Sequence, residues 1–327
     1  MDQNTGAGGR PAEPGDTGRL AARFEADRPH LTAVAHRLLG SAAEADDAVQ
    51  EAWLRAARAD VGEVANLTGW FTTVVTRVCL NLLRSRRARR EEPFAAQQPE
   101  QQGAVAGGEG ADPVREALLA DDVGVALLVV LDTLGPAERV AFVLHDLFAV
   151  PFDEIAPLIE KTPAATRQLA SRARRRVRGR APGPGDDRGR MREAVEAFLA
   201  ATRQGDFAAL FALLDPDVVL HADRLVVPTP EPVTVRGAEP VARGAMAAVA
   251  RARFTGLALL DGAVGLVMAP FGRPRLVLAF TFEAGRITAI EVIAEPERLG
   301  RIEIGVLPAE ESTVVPPVPP PAPPTEG

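Results

Sequence analysis

Apolar residues recur at helical spacing through most of the first ninety residues of the chain. The first periodic segment covers residues 19–40, with Pro29 as a predicted break or kink and Gly40 as a predicted C-cap. The second begins at residues 41–44, where Ser-Ala-Ala-Glu has the form of a capping box. The third runs over about residues 67–89. This pattern predicts three consecutive helices.

The second and third predicted helices each carry a polar stripe. On the second, an acidic and polar surface lies mostly opposite the apolar face, and it is either a solvated face or a docking face for a basic partner. Its residues are Asp47, Gln50 and Glu51. On the third, a polar stripe follows an aromatic pair and ends in arginines, which suits contact with nucleic acid. Its residues are Thr73, Arg77, Asn81 and Arg84. Trp70, beside this stripe, is interpreted as a core residue in preference to a base-stacking platform.

Residues 92–120 are poor in apolar residues and rich in Gln, Gly, Glu and Pro, which is typical of a flexible linker. Fully extended, such a segment reaches roughly 90 Å at about 3.3 Å per residue. The units on either side could therefore act at distant points of one ligand. Residues 1–18 are predicted to be a disordered tail, residues 181–190 a second linker, and residues 307–327 a proline-rich tail without a core.

Residues 150–178 have the pattern of two short helices joined by a tight turn. Thr162 and Pro163 begin the second helix, because threonine caps free backbone N–H groups and proline at the first helical position loses no hydrogen bond. No acidic residue occurs between positions 163 and 180. The pattern indicates a helix-turn-helix, whose second helix enters the DNA major groove. The alternative is a solvated basic helix in a helical bundle.

Side chains near the start of that second helix are placed to meet base edges, and the later arginines to lie near phosphates. The predicted contacts are Thr166, Arg167, Gln168, Ser171, Arg172 and Arg175. Two apolar helices, at 123–134 and 136–147, precede the motif. The four helices are expected to pack into one module over residues 121–180.

The character of the chain changes at residue 191. Residues 191–214 form an amphipathic helix pair, and strand-like runs follow, with a helix at 237–251 between them. The runs are 218–221, 225–227, 233–236, 254–260, 265–268, 276–283 and 287–294. Residues 283–286 predict a hairpin turn between the last two runs. This pattern indicates an α+β domain at 191–306, with helices against an antiparallel sheet.

Composition narrows the class of protein only a little. The chain has 327 residues, enough for two or three domains, and its formal charge of −7 hides arginine clusters at 84–90 and 167–180. The single cysteine, Cys79, excludes an internal disulfide and a cysteine-based metal cluster, and is interpreted as a small buried apolar side chain. No signal peptide and no apolar run of membrane-spanning length is recognisable, so the sequence predicts a cytoplasmic protein.

Two motifs carry a family resemblance. DDAVQEAWLRA (46–56), followed by NLTGWFTTVVTRVCLNLLRSRRARR (66–90), resembles region 2 of the extracytoplasmic-function group of bacterial sigma factors. LGPAERVAFVLHDLFAVPFDEIA (134–156) and TPAATRQLASRARRRVRG (162–179) resemble region 4 of that group. The motifs occur in order and cover about half of the chain, with no region 3 between them. The remaining third resembles the SnoaL-like extension of one sigma-factor subgroup.

The resemblance implies a multidomain protein. Two all-α domains, region 2 at 19–91 and region 4 at 121–180, would precede an α+β SnoaL-like cone with a pocket at 191–306. Asp47, Gln50 and Glu51 would dock on the clamp helices of the largest RNA polymerase subunit. The implied minus-ten contacts are Asn66, Trp70, Thr73, Arg77, Asn81 and Arg84, and the minus-thirty-five contacts are the residues named above for the helix-turn-helix. The implied partners are core RNA polymerase and promoter DNA. The chain is not expected to be an enzyme, and it is not expected to need a cofactor or a metal.

The chain departs from the subgroup at several positions. A Gly-rich motif of the SnoaL-like extension is replaced by Ala222–Val226, and an Asn-Pro-Asp-Lys-Leu motif is only echoed at Glu295–Leu299. The linker lacks the Trp-Leu-Pro-Glu-Pro signature expected near residue 95. Glu160 stands where the turn of such modules often has glycine. If that position needs a positive φ, Glu160 is strained.

The C-terminal domain allows two functions. It either regulates the sigma domains in cis, with an unidentified small ligand as one candidate partner, or it is an enzyme, since SnoaL-like folds also host cyclases and isomerases. His221 and Asp223 lie two apart on a predicted strand and so point to the same face, which makes them a candidate pocket pair for acid–base chemistry. A surface or satisfied polar pair is the favoured alternative. For the whole chain, the rival is a ligand-responsive DNA-binding regulator that never joins polymerase.

Overall fold

The structure, a computed structural model, describes residues 14–59, 61, 64–91, 124–179, 188–226 and 231–307. The predicted linker at 92–120 and most of the second linker and of both tails lie outside these residues. Two boundaries were wrong. Residues 14–18 belong to the first helix and residues 188–190 to the first helix of the C-terminal domain.

Three helices form the N-terminal unit: α1 (Pro14–Leu39), α2 (Ala42–Ala56) and α3 (Leu67–Glu91). Gly40 ends α1 with a φ of 78°, whereas Pro29 lies inside that helix and does not end it. Ser41 caps α2, and its Oγ accepts a hydrogen bond from the Glu44 N–H at 3.5 Å. The Glu44 carboxylate pairs with Arg86 of α3, so the residue of the predicted capping box also ties α2 to α3.

The second helical unit contains α4 (Val125–Thr133), α5 (Pro136–Phe142), α6 (Phe152–Leu158) and α7 (Pro163–Arg178). A π-helical turn, Val143–Leu147, continues α5. The helix-turn-helix predicted at 150–178 is therefore present as α6 and α7. Its turn passes through Glu160, which has a φ of 55°.

The two helical units share one apolar core. Buried residues of α1 and α3 cluster with buried residues of α5, α6 and α7. The Arg37 guanidinium lies 5.1 Å from the ring centre of Phe148, and His30 meets the same ring edge-on at 5.3 Å. Cys79 is buried in this core, and burial raises the pKa of its thiol to about 12 because the thiolate would be desolvated. The units are thus packed together in this arrangement.

The C-terminal domain is an α+β domain, as predicted. Its helices are α8 (Arg188–Gln204), α9 (Phe207–Leu213), α10 (Ala238–Met246), α11 (Val249–Ala252) and α12 (Pro296–Leu299). Its strands are β1 (Leu214–Ala222), β2 (Val233–Arg236), β3 (Thr255–Leu260), β4 (Ala263–Met268), β5 (Leu276–Glu283), β6 (Arg286–Ile293) and β7 (Ile304–Gly305). They form one sheet in the order β2-β1-β6-β5-β4-β3-β7.

Two strand predictions were wrong, and one strand was missed. The sheet is mixed, because β1 pairs in parallel with β6, whereas a purely antiparallel sheet was expected. Leu225 and Val226 lie in a turn after β1 and not in a strand. β7 was not predicted, since two residues are too few to show an alternating pattern. It pairs with β3 at one edge of the sheet.

Helix α4 belongs to two cores at once. Leu131 is buried among the helical units, together with Leu134 just beyond the helix. On another face, α4 packs into the sheet of the C-terminal domain. That second cluster contains Val125, Ala126, Leu128 and Val129 of α4 with Ala258, Leu260, Val267, Val277 and Ile293 of the strands. A helix that is apolar all round is expected to be buried all round, and here two domains bury it.

Candidate nucleic-acid interface

Helix α7 divides into a buried face and an exposed arginine-rich face. Thr162 caps the helix, with its Oγ1 accepting a hydrogen bond from the Ala165 N–H at 3.2 Å. Thr166, Ala170 and Ala173 are buried at the spacing of one helix face. The predicted contact residues on the opposite surface are exposed: Arg167, Gln168, Ser171, Arg172 and Arg175. An exposed basic face on the second helix of a helix-turn-helix is placed to meet DNA.

Thr166 is the exception among the predicted contacts, and for this residue the prediction was wrong. Its side chain is fully buried, and its hydroxyl donates to the Thr162 carbonyl at 2.9 Å. A hydroxyl committed to the preceding turn cannot reach a base edge. Thr166 therefore supports the first turn of α7 and holds the exposed face in position.

Carboxylates of the same unit face several arginines of α7. Arg167 lies 4.0 Å from Asp153, and Arg172 lies 3.4 Å from Glu138. The Arg167–Asp153 pair is exposed, and such pairs contribute only about 0–1 kcal/mol, so a DNA phosphate or base can replace it. Arg175 has no ion pair among the described residues. Its charge is therefore available to a phosphate without breaking a described contact.

The polar stripe of α3 lies largely on the surface. Asn66 precedes the helix and its Oδ1 accepts a hydrogen bond from the Gly69 N–H at 3.0 Å. Arg77 and Asn81 are exposed and Thr73 is half-buried. Trp70 is half-buried against the helical core, 5.5 Å from the ring of Phe71. The structure thus gathers the predicted residues along one side of α3, with the tryptophan partly committed to packing.

Arg84, the last residue of this stripe, contacts the helix-turn-helix. Its Nη1 lies 3.3 Å from Oε1 of Glu160, in the turn between α6 and α7. The expectation that Glu160 would be strained if the turn needs a positive φ is met, since its φ is 55°. A non-glycine residue there costs about 1–2 kcal/mol. The strained residue therefore also provides one of the links between the two helical units.

We expect the Glu160→Gly protein to be more stable than the Glu160→Ala protein by about 1 kcal/mol. Both substitutions remove the contact to Arg84, but only glycine relieves the backbone strain. Urea denaturation of the two proteins measures the difference in the free energy of unfolding. Equal stabilities would mean that the turn carries no strain.

Helix α2 presents the predicted docking face. Asp47 and Gln50 are exposed, and Glu51 is half-buried with its Oε1 2.8 Å from Arg55 Nε. Leu54 lies one turn further along and is 46% exposed. Sequence reasoning missed this residue. The sequence did indicate it, because a large apolar side chain seven residues after Asp47 falls on the polar side of the helix.

His221 and Asp223 do not form the predicted pair. Asp223 is buried, and its Oδ2 accepts hydrogen bonds from the backbone N–H groups of Ala294 and Glu295 at 2.7 and 2.8 Å. His221 is exposed, with its Nδ1 3.0 Å from the Thr234 hydroxyl. The two side chains differ because Asp223 lies just beyond β1, where strand alternation no longer applies. The candidate pocket pair is therefore not formed, and the favoured alternative is observed: His221 is a surface residue and Asp223 a satisfied polar one.

Asp223→Ala should lower the free energy of unfolding by about 3 kcal/mol, because two partly buried N–H groups would lose their acceptor. Leu225 N–H, at 3.3 Å from Oδ1, would lose its partner as well. Denaturant unfolding of the full chain measures the loss. Asp217→Ala is the control, since Asp217 is an exposed aspartate of the same strand; it should change stability by less than about 0.5 kcal/mol. Similar values for both variants would refute a structural role for Asp223.

Both helical units match families of known proteins. The family described as Sigma-70 region 2 matches residues 23–89, and Sigma-70, region 4 matches residues 124–177. A curated relative, ECF RNA polymerase sigma factor SigJ of Mycobacterium tuberculosis, is 39% identical over 84% of this chain and 91% of its own length. The chain belongs to the ECF RNA polymerase sigma factors. Probable ECF RNA polymerase sigma factor SigI of the same species is 36% identical, over 88% of this chain and 97% of the relative.

Two solved structures are also similar to this sigma factor. The crystal structure of Mycobacterium tuberculosis SigJ is 36% identical, covers 86% of this chain and 98% of that chain, and has a TM-score of 0.40. An NTF2-like protein of unknown function from Mesorhizobium loti is 20% identical, covers 36% of this chain and 99% of that chain, and has a TM-score of 0.28. In the described part of this sigma factor, no helix has the length and apolar character needed to cross a membrane.

Proposed function

We propose that this sigma factor binds core RNA polymerase through α2 and directs it to promoter DNA through α3 and α7. The observation that carries the proposal is the division of α7 into a small, buried face and an exposed basic face. A helix docked in this way leaves Arg167, Gln168, Ser171 and Arg172 outward, where a major groove can receive them. We assign minus-thirty-five contacts to these residues and to Arg175.

The minus-ten element is assigned to the start and the exposed stripe of α3. Asn66, Arg77 and Asn81 are exposed and offer amide and guanidinium groups. Trp70 offers a partly exposed ring beside them. Bases leave a duplex only when stacking or hydrogen bonds offset an unstacking cost of a few kcal/mol. Amides, guanidinium groups and an aromatic ring are suited to that purpose.

The test is reconstitution with core RNA polymerase. The full chain should co-purify with the core enzyme, and the holoenzyme should transcribe a subset of a pool of randomised promoters. Sequencing the transcripts would define the preferred elements. A chain that binds the enriched DNA but never retains core polymerase would instead be a repressor or activator acting without it.

Arg167→Ala and Arg175→Ala should have different effects on promoter binding by that holoenzyme. Arg167 lies near the start of α7, so its loss should relax the preference at one base pair, by about 1–3 kcal/mol for a bidentate contact. Arg175 lies later, so its loss should weaken all sequences alike and lower the salt slope by about one. Binding to single-base promoter variants at several salt concentrations separates the two. Uniform weakening by Arg167→Ala would contradict base reading.

We further infer that the C-terminal domain regulates the sigma domains in cis. The support is that α4, a helix of region 4, is packed into the sheet of that domain. A second connection lies at the other end of region 4, where the Val306 N–H donates to the Val177 carbonyl at 2.9 Å. A Cβ added at Gly179 would lie 2.9 Å from the Gly305 Cα, so the two backbones are in close contact. The C-terminal domain is thereby linked to region 4 before and after the helix-turn-helix.

This linkage bears on how the sigma domains engage a promoter. Regions 2 and 4 read separate elements along the duplex, yet here they share one core and the Arg84–Glu160 ion pair. We propose that they separate when the factor works. The C-terminal domain, by holding α4, favours the packed arrangement and so restrains initiation.

A further inference from the structure

A cleft rich in arginine lies between the two helical units. It is bounded by the later part of α3, the turn from α4 to α5, and one side of α7, and its volume is about 720 Å³. Five arginines line it: Arg86, Arg87, Arg139, Arg172 and Arg176. The cleft also has an apolar wall, formed by Leu134, Pro136 and Leu169. Arg172 is also one of the proposed minus-thirty-five contacts, whereas the other four arginines have no role in the proposed promoter contacts or the polymerase-docking face.

Among the described residues that line the cleft, positive charge exceeds negative charge. Two carboxylates, Asp132 and Glu138, line it against five arginines, a formal excess of three. Counting Glu44, which pairs with Arg86 from outside the lining, the excess is two. Glu138 is shared, with its two oxygens 3.4 Å from Arg172 and 3.2 Å from Arg176. A single carboxylate thus serves two guanidinium groups, so the described lining residues carry an excess of positive charge.

The floor of the cleft contains a buried charge. Arg139 is only 2% exposed, and its Nη1 lies 3.6 Å from Asp132. Desolvation lowers the pKa of this guanidinium to about 10, since burial disfavours its charged form. An anion in the cleft would offset that cost through its field, without needing to touch the side chain.

We propose that this cleft binds a small polyanion that carries phosphate groups, either a nucleoside polyphosphate or inorganic pyrophosphate. Arginine matches phosphate in geometry as well as in charge, because its planar N–H groups donate in pairs. The apolar wall is suited to the ring system of a nucleoside. A DNA duplex fits less well, since it is a convex rod and the walls of the cleft come from both helical units.

A ligand in this position would contact both units. Arg87 belongs to α3 and Arg176 to α7, so one phosphate chain can join them. Its binding would stabilise the arrangement in which regions 2 and 4 are packed together. Of the cleft arginines only Arg172 is shared with the proposed promoter contacts, so ligand binding can be measured on the chain without polymerase or promoter DNA.

Isothermal titration of the full chain with pyrophosphate and, separately, with GTP tests the proposal. Both probes, or GTP alone, should bind to the wild type. The double variant Arg87→Gln with Arg176→Gln should weaken binding by at least tenfold, as expected for the loss of charge-assisted contacts of about 1.4 kcal/mol or more. Much tighter binding of GTP than of pyrophosphate would identify the nucleoside as part of the ligand, and equal binding would identify the phosphates alone.

Arg89→Gln with Arg178→Gln is the matched control. These arginines are exposed, lie on the same two helices and do not line the cleft. The control should weaken binding by less than about twofold, as surface charges away from the site contribute little. Absence of binding by both probes, or an equal loss in the control, would overturn the proposal. If the double variant does not fold, Arg87→Gln alone gives the same comparison with Arg89→Gln.

Discussion

Replacing both Asp47 and Glu51 with arginine is expected to abolish binding to core RNA polymerase. The two substitutions turn an acidic face of α2 into a basic one, and a basic partner would then repel it. The loss should reach at least about a hundredfold in affinity, close to 3 kcal/mol. Exposed Leu54 lies on this face, so the apolar contact it could make would be lost with the charge contacts. Co-purification with core polymerase and equilibrium binding measure the effect.

The control for this experiment is Glu193→Arg with Glu196→Arg on α8. It makes the same change in charge and also removes one helical ion pair, because Glu196 pairs with Arg192 as Glu51 pairs with Arg55. This variant should retain polymerase binding. Circular dichroism should show unchanged helix content in both proteins. Retained binding by the α2 variant would reject the docking face.

Gly256→Leu is expected to raise transcription from a recognised promoter about tenfold by separating α4 from the sheet. A Cβ at Gly256 would lie 2.9 Å from the Cβ of Val125, so a larger side chain cannot fit without moving the helix. A tenfold change corresponds to about 1.4 kcal/mol of restraint removed. Transcription by reconstituted holoenzyme, together with the distance between labels on α2 and α7, measures both consequences.

Gly244→Leu is the control for Gly256→Leu. Gly244 is exposed on α10, and a Cβ there meets no atom within 4 Å. The control should leave both transcription and the label distance unchanged. If Gly256→Leu lengthened the distance but left transcription at the wild-type rate, regulation in cis would be refuted while the packing remained correct.

Most helices could be predicted because periodicity and capping act locally. Thr162 and Pro163 gave the start of α7, and the observed helix begins there. The error at Thr166 was avoidable, since Ala170 and Ala173 follow it at helical spacing and mark a buried face. The location of Glu160 in a strained turn was also accessible, because that turn must reverse the chain within a few residues.

The remaining errors concern partners that local pattern does not specify. Periodicity shows that a face is buried but not against what, so the insertion of α4 into the sheet could not be foreseen. The parallel pairing of β1 with β6 joins residues about seventy positions apart, and no turn signal connects them. The partners of Asp223 could not be named in advance, because they are backbone N–H groups of a distant segment, which no sequence motif reports.

The packing of α4 in two cores has a consequence for the handling of this protein. Deleting the C-terminal third would expose valines and leucines to water, so a shortened product should self-associate unless that helix also acquired hydrophilic residues. The C-terminal domain can therefore be removed cleanly only if the apolar face of α4 is changed at the same time.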